Sequence, residues 1–112
     1  MEEKVNVLEK KSYQFALSVV NHYKKLVAKK EFVLSRQFVK AGTSIGANVA
    51  EANGAISTAD FSAKISIAYK ESLECKYWLK LLKDSEYLTE VDFLNLTYMI
   101  NQMNCPGSFS QF

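Results

Sequence analysis

Residues 41–54 read AGTSIGANVAEANG, and they place Gly42 and Gly46 four apart inside a run written for helix. The apolar members of that run, Leu34, Phe38, Ala41, Ile45, Val49 and Ala52, fall on one arc of a helical wheel. Glycine inside a helix costs about 1 kcal/mol relative to alanine, so a helix that keeps two of them needs an offsetting gain from packing. Gly42, Gly46, Ala50 and Gly54 recur every four residues along one flank of the arc. Small residues at that interval let another helix backbone approach closely, a steric argument first made for membranes that holds in water as well. The stretch therefore predicts a close-packed helix over 33–53.

On the other flank, Gln37, Ser44, Asn48 and Glu51 form a polar stripe. A half-buried amide or carboxylate without a partner costs about 1–3 kcal/mol, so the stripe either faces water or finds hydrogen bonds on the next helix. The candidates there are Lys70, Ser72 or a backbone edge.

Outward from this helix, the rest of the chain repeats the pattern. Leu8, Phe15, Val19 and Leu26 mark a stripe over 4–30 that also carries Ser12 and His22. Gly54 suits the left-handed position beyond a helix end, and Ser57 with Asp60 three residues later approximates a capping box. A third helix then begins near 58 and ends within 84–87. Its seam, Phe61, Ile65, Ala68, Ser72, Cys75, Leu79 and Leu82, alternates spacings of four and three like a heptad repeat. Thr89 as N-cap, with Asp92 three residues on, opens a fourth helix through Phe93, Leu96, Ile100 and Met103.

The only proline is Pro106, and no alternating run of strand type occurs. Four helices with short connections predict an all-α fold, an antiparallel up-down-up-down four-helix bundle over 1–104. A flexible C-terminal tail over 105–112 follows, and its Phe109 and Phe112 belong to none of the four stripes. With 112 residues the chain has room for one core, and its 48% apolar and 23% charged composition is that of an ordinary globular protein.

The third helix carries more apolar surface than one core uses. Away from the seam, Ala63, Ile67, Trp78 and Leu81 align in a second stripe around Glu71 and Glu74, with Leu73 and Tyr77 covering much of the remainder. A helix apolar on two sides is buried on two sides, which predicts a homo-oligomer. Ile67, Glu71, Glu74, Trp78 and Leu81 are the expected interface, with Trp78 as anchor. The competing reading puts Trp78 at the end of the monomer core.

Catalysis finds little support. A di-iron bundle needs paired Glu-x-x-His motifs, whereas this chain has one histidine, His22, with no glutamate three residues before it. GTSIG, residues 42–46, lies within a helix and lacks the lysine of a phosphate-binding loop. Cys75 and Cys105 show neither zinc-ligand spacing nor a disulfide framework. These patterns predict a non-enzymatic protein without metal, cofactor or small-molecule substrate.

The net charge of +2, from 14 basic and 12 acidic side chains, is far from that of a dedicated nucleic-acid binder. Lys24, Lys25, Lys29 and Lys30 nevertheless cluster at the end of the first helix, and repetition around an oligomer would make them a basic rim for phosphates. The bland reading is a solvated helix end whose lysines favour the dipole. No apolar stretch approaches a membrane span and the N-terminus is charged, so a cytoplasmic location is expected.

SIGANVAEA (44–52), STADF (57–61) and IAYKESLECKYWLKLL (67–82) together resemble the small four-helix proteins encoded in intervening sequences of bacterial 23S ribosomal RNA genes. The likeness runs from about Phe15 to Met103. Ser44, Ile45, Asn48, Ala50 and Glu51 match that family's second-helix signature, and Ser57, Asp60, Phe61, Ala68 and Ser72 match the start and face of its third helix. Many members carry a glycine after the glutamate and an arginine before the serine cap. Here Ala52 and the loop Gly54–Ala55–Ile56 replace them. The resemblance implies an antiparallel bundle assembled as a ring of five. A related branch, the accessory protein of diversity-generating retroelements, implies RNA or a reverse transcriptase-like protein as partner. The alternative is a protein-interaction module with no nucleic-acid role.

Overall fold

The structure is a computed structural model and describes residues 2–104. It contains α1 (Glu2–Ala28), α2 (Leu34–Asn53), α3 (Thr58–Asp84) and α4 (Glu90–Met103), with no strand among the described residues. The expected tail, with Cys105, Phe109 and Phe112, lies outside the described residues. α2 packs against both α1 and α3, and α4 packs against the same two helices. The bundle is 43 Å long and 22 by 18 Å across, the length set by its 27-residue helices at about 1.5 Å per residue.

Two helices start as their residues dictate. The extended Ser57 accepts a hydrogen bond from the Asp60 amide at 3.0 Å, while the Asp60 carboxylate accepts one from the Ile56 amide at 3.2 Å. Thr89 accepts from the Asp92 amide at 3.1 Å. α2 begins differently, because the residue at its N-cap is Val33, which has no side-chain acceptor.

Glu31 takes over that task. Its carboxylate accepts the amides of Val33 (3.2 Å), Leu34 (3.1 Å) and Ser35 (2.6 Å), and the Ser35 hydroxyl donates back to the Glu31 carbonyl at 2.7 Å. Burial alone would raise the pKa of this carboxyl, but the hydrogen bonds from Ser35, Leu34 and Val33 outweigh it and hold the value below the usual range.

The left-handed turn positions also differ from expectation. Gly54 sits at φ −104°, outside the left-handed region, and Lys30 (φ 65°) and Glu86 (φ 68°) occupy that region instead. At each of those two positions the chain turns through the non-glycine residue, and the amides that follow bond back to the preceding helix: Glu31 N–H to Leu26, Tyr87 N–H to Leu82.

The heptad seam of α3 is buried from Ile65 to Leu82, with Phe61 packed half-buried at its head. It meets Phe38, Ile45 and Val49 of α2, Phe15 and Val19 of α1, and Leu96 and Ile100 of α4 in one core. The small residues of α2 face α1. A Cβ on Gly42 would stand 2.7 Å from Val19 Cγ2, and one on Gly46 would stand 3.4 Å from the Ser12 carbonyl oxygen. Beyond them Ala50 and Gly54 are exposed, so the close approach is confined to two turns. Among the described residues no helix is long and apolar enough to cross a membrane.

Candidate functional site

α3 buries its seam and turns the opposite side outward. Ile67 (42% exposed), Leu73 (47%) and Tyr77 (61%) lie on that side, as does Glu74. Large apolar side chains are normally scattered singly over a surface, whereas Leu73 and Tyr77, four apart, adjoin on the outward half of α3 that Ile67 shares. Trp78 and Leu81 are half-buried, and Trp78 packs on the core with its ring edge-on to Tyr77 at 5.0 Å. The Trp78 Nε1 atom is buried without a hydrogen-bond partner.

Glu71 is half-buried one turn before Cys75 and two turns before Trp78. Burial raises its pKa, as do the charge of Glu74 and a hydrogen bond with it, while Lys40 of α2 opposes the shift. The sequence places both carboxyls in the apolar stripe, and the structure brings them together as an interacting pair at the edge of the outer face. Leu73 and Tyr77 contribute more exposed apolar area there than the half-buried Leu81. The signal for them was their spacing of four on the side opposite the seam.

The polar stripe of α2 is satisfied mostly within its own helix. Asn48 Nδ2 donates to the Ser44 carbonyl at 2.8 Å, and Ser44 Oγ donates to the Lys40 carbonyl at 2.6 Å. Glu51 pairs with Lys64 of α3 at 3.1 Å, not with Lys70 or Ser72. The buried Ser72 hydroxyl donates to the Tyr69 carbonyl of its own helix. Ser, Thr and Asn side chains readily bond a carbonyl one turn back, and this local bond displaces the cross-helix one expected from the sequence.

Lys24, Lys25, Lys29 and Lys30 are all exposed. Their end of the bundle is shared with acids, since Lys29 lines a shallow depression together with Lys83, Glu86 and Glu90. Lys83 itself lies 3.7 Å from Asp84 and 3.8 Å from Glu90, with its ammonium 4.5 Å above the Phe93 ring. His22 is half-buried, 4.0 Å from Asp92. Burial lowers its pKa, Asp92 pulls it up and Lys25 lowers it further, and the net shift is downward. Cys75 is fully buried, and burial pushes its thiol pKa far up. Among the described residues no three potential ligands gather as a metal site would require.

A family model described as 23S rRNA-intervening sequence protein matches residues 3–105. The chain belongs to this family. The match spans all four helices, more than the stretch from Phe15 to Met103 that carried the resemblance. Among solved structures, one from Bacteroides thetaiotaomicron, described as a protein with unknown function from the S23 ribosomal protein family, is 47% identical. The alignment covers 88% of this chain and 89% of that one with a TM-score of 0.86. No curated protein matches the chain. Membership in the 23S rRNA-intervening sequence family thus accounts for the four-helix fold and brings no established activity with it.

Proposed function

We propose that this member of the family is a non-catalytic scaffold that assembles with copies of itself through the outer face of α3. The observation that carries the reading is the exposure of Ile67, Leu73 and Tyr77 on one side of a helix whose other side is the core. Trp78, Leu81, Glu71 and Glu74 border that face and complete the interface. Burying the three apolar side chains stabilises association by about 25 cal/mol per Å² removed from water, before the cost of immobilising two bodies. A closed ring of five, the assembly that family resemblance implies, is the form taken.

The protomer is read as an antiparallel up-down-up-down bundle. Two contacts support this: Lys11 of α1 reaches the Gln102 carbonyl of α4, while His22 approaches Asp92. Going up α1 therefore means going down α4. Three short connections, none longer than the five residues of 29–33 and of 85–89, support the same topology.

A second reading adds RNA or a ribonucleoprotein partner at Lys24, Lys25, Lys29 and Lys30, and it is favoured by the exposure of all four ammonium-bearing side chains at one end. The acids Asp84, Glu86 and Glu90 at that same end reduce its field, which favours the protein-only scaffold. Both are separable. Light scattering of a Leu73→Lys, Tyr77→Lys double variant should show the mass falling to that of the protomer with helicity intact, and an unchanged oligomer contradicts the assembly surface. Retention of RNA at low salt, lost steeply as salt rises and on replacing the four lysines by glutamine, supports the RNA reading. No retention at low salt leaves the protein-only scaffold.

A further inference from the structure

α3 is not the only helix that is apolar on two sides. α4 gives Leu96, Ile100 and Met103 to the core, yet Val91 (65% exposed), Leu94 (54%) and Tyr98 (64%) stand in solvent. Spaced three and four apart, they form a row on the side of α4 away from the core, the spacing of a seam that receives another helix. The row runs into a groove of about 490 Å³, in which Tyr98 and Met99 form the α4 wall and Val7, Lys10 and Lys11 the α1 wall. Among the described residues its charged lining is those two lysines alone. The Lys11 ammonium donates to the Gln102 carbonyl at 3.3 Å and so fixes the register of α1 against α4.

The outer face of α3 has two unlike edges. Glu74 lies seven residues after Ile67, on the same row and with Glu71 beside it, whereas Lys70 lies seven before Tyr77 and shares its row. An antiparallel two-fold pairing of identical α3 faces sets each edge against its own copy, glutamate against glutamate. A parallel pairing aligns the dipoles of two 27-residue helices. The α1–α4 groove offers a cationic wall beside an apolar one. Laid antiparallel to α4 with Glu71 level with Lys10, α3 brings Ile67 level with Val7, Tyr77 with Tyr98 and Leu81 with Leu94, each to within about 2 Å at a rise of about 1.5 Å per residue. The right-handed helix then turns its Glu71–Glu74 edge to the α1 side and its Tyr77 edge to the α4 side. Lys70 comes to the C-terminal end of α4, where a cation is favoured.

We propose that the outer row of α4 and its groove with α1 are the seat for α3 of a neighbouring copy, with Tyr77 and Leu81 on Tyr98 and Leu94, Ile67 by Val7, and Glu71 and Glu74 toward Lys10 and Lys11. The inference rests on the assembly reading and names the surface that the α3 face meets. One register satisfies the apolar contacts and the charges together, which is what selects this occupant. The contact joins two different faces, so it is head-to-tail: it passes from copy to copy and closes into a ring where the rotation permits.

The test is the mass of the full chain by light scattering across a dilution series, with helicity read alongside. A Leu94→Lys, Tyr98→Lys variant, which leaves α3 untouched, should fall to the mass of one copy just as the Leu73→Lys, Tyr77→Lys variant does. Lys10→Glu and Glu74→Lys should each raise the concentration of half-dissociation by about fivefold or more, and the two together in one chain should bring it back toward that of the unmodified protein. An α4 variant that assembles like the unmodified chain, while the α3 variant does not, overturns this proposal and leaves the assembly reading standing. Charge reversals that add without recovery also overturn it. An unmodified chain that is a single copy throughout ends both.

Discussion

Gly42 of α2 leaves room for Val19 of α1 and for nothing larger: a Cβ there would stand 2.7 and 2.8 Å from the two Val19 methyls. Val19 is fully buried and β-branched, so it has no free rotamer into which to retreat. The glycine that weakens α2 as an isolated helix is what lets α1 lie against it.

Gly42→Ala is therefore expected to destabilise the protein, overpacking costing about 1–3 kcal/mol and improved helix propensity giving back about 1. Gly46→Ala meets only the Ser12 carbonyl at 3.4 Å and should be neutral or stabilising by at most about 1 kcal/mol. Urea denaturation of the pair checks this, and equal effects at both positions would remove the close-packing account.

Glu31 should make stability depend on pH. Its folded pKa lies below the usual carboxylate value, so its contribution is fully present above the unfolded pKa of about 4.3 and is lost as pH falls through the folded value. Glu31→Ala removes the α2 cap and should cost about 0.5–2 kcal/mol at neutral pH. Denaturation at pH 7 and pH 3 should show that difference shrinking in acid. A constant difference would mean that the charge of Glu31 is not what holds the cap.

Ser57 and Thr89 announced their helices because a hydroxyl followed three residues later by an acid satisfies the first free amides directly, and both caps form as read. Glu31 was missed because its carboxylate reaches in from two positions before the N-cap, and Val33 offers no side-chain acceptor. The pairing of Glu31 with Ser35 four residues on is the only sequence trace of it. The turns at Lys30 and Glu86 were illegible, since a lysine and a glutamate give no sign of positive φ, whereas Gly54 gave a sign the backbone does not use. For the candidate site, periodicity separated the buried seam of α3 from its outer stripe. It did not tell that Trp78 turns onto the core while Tyr77 stays in water, because neighbouring wheel positions at the edge of a stripe are decided by the helix packed beside them.

Cys75 should resist thiol reagents in the folded protein. It is fully buried and its pKa is pushed far up by burial and by the charges of Glu74 and Glu71, so little thiolate forms. In a Cys105→Ser background, labelling by a maleimide at pH 7 should follow unfolding, accelerating at the urea midpoint. Rapid labelling without denaturant would place this face of α3 nearer to solvent than the bundle allows.

Sedimentation equilibrium of the unmodified chain, from high to low micromolar concentration, tests the central claim most directly. If the outer face of α3 with Ile67, Leu73 and Tyr77 is covered by identical copies, the fitted mass is a fixed multiple of 12.7 kDa that persists on dilution. A single species at 12.7 kDa throughout would contradict it.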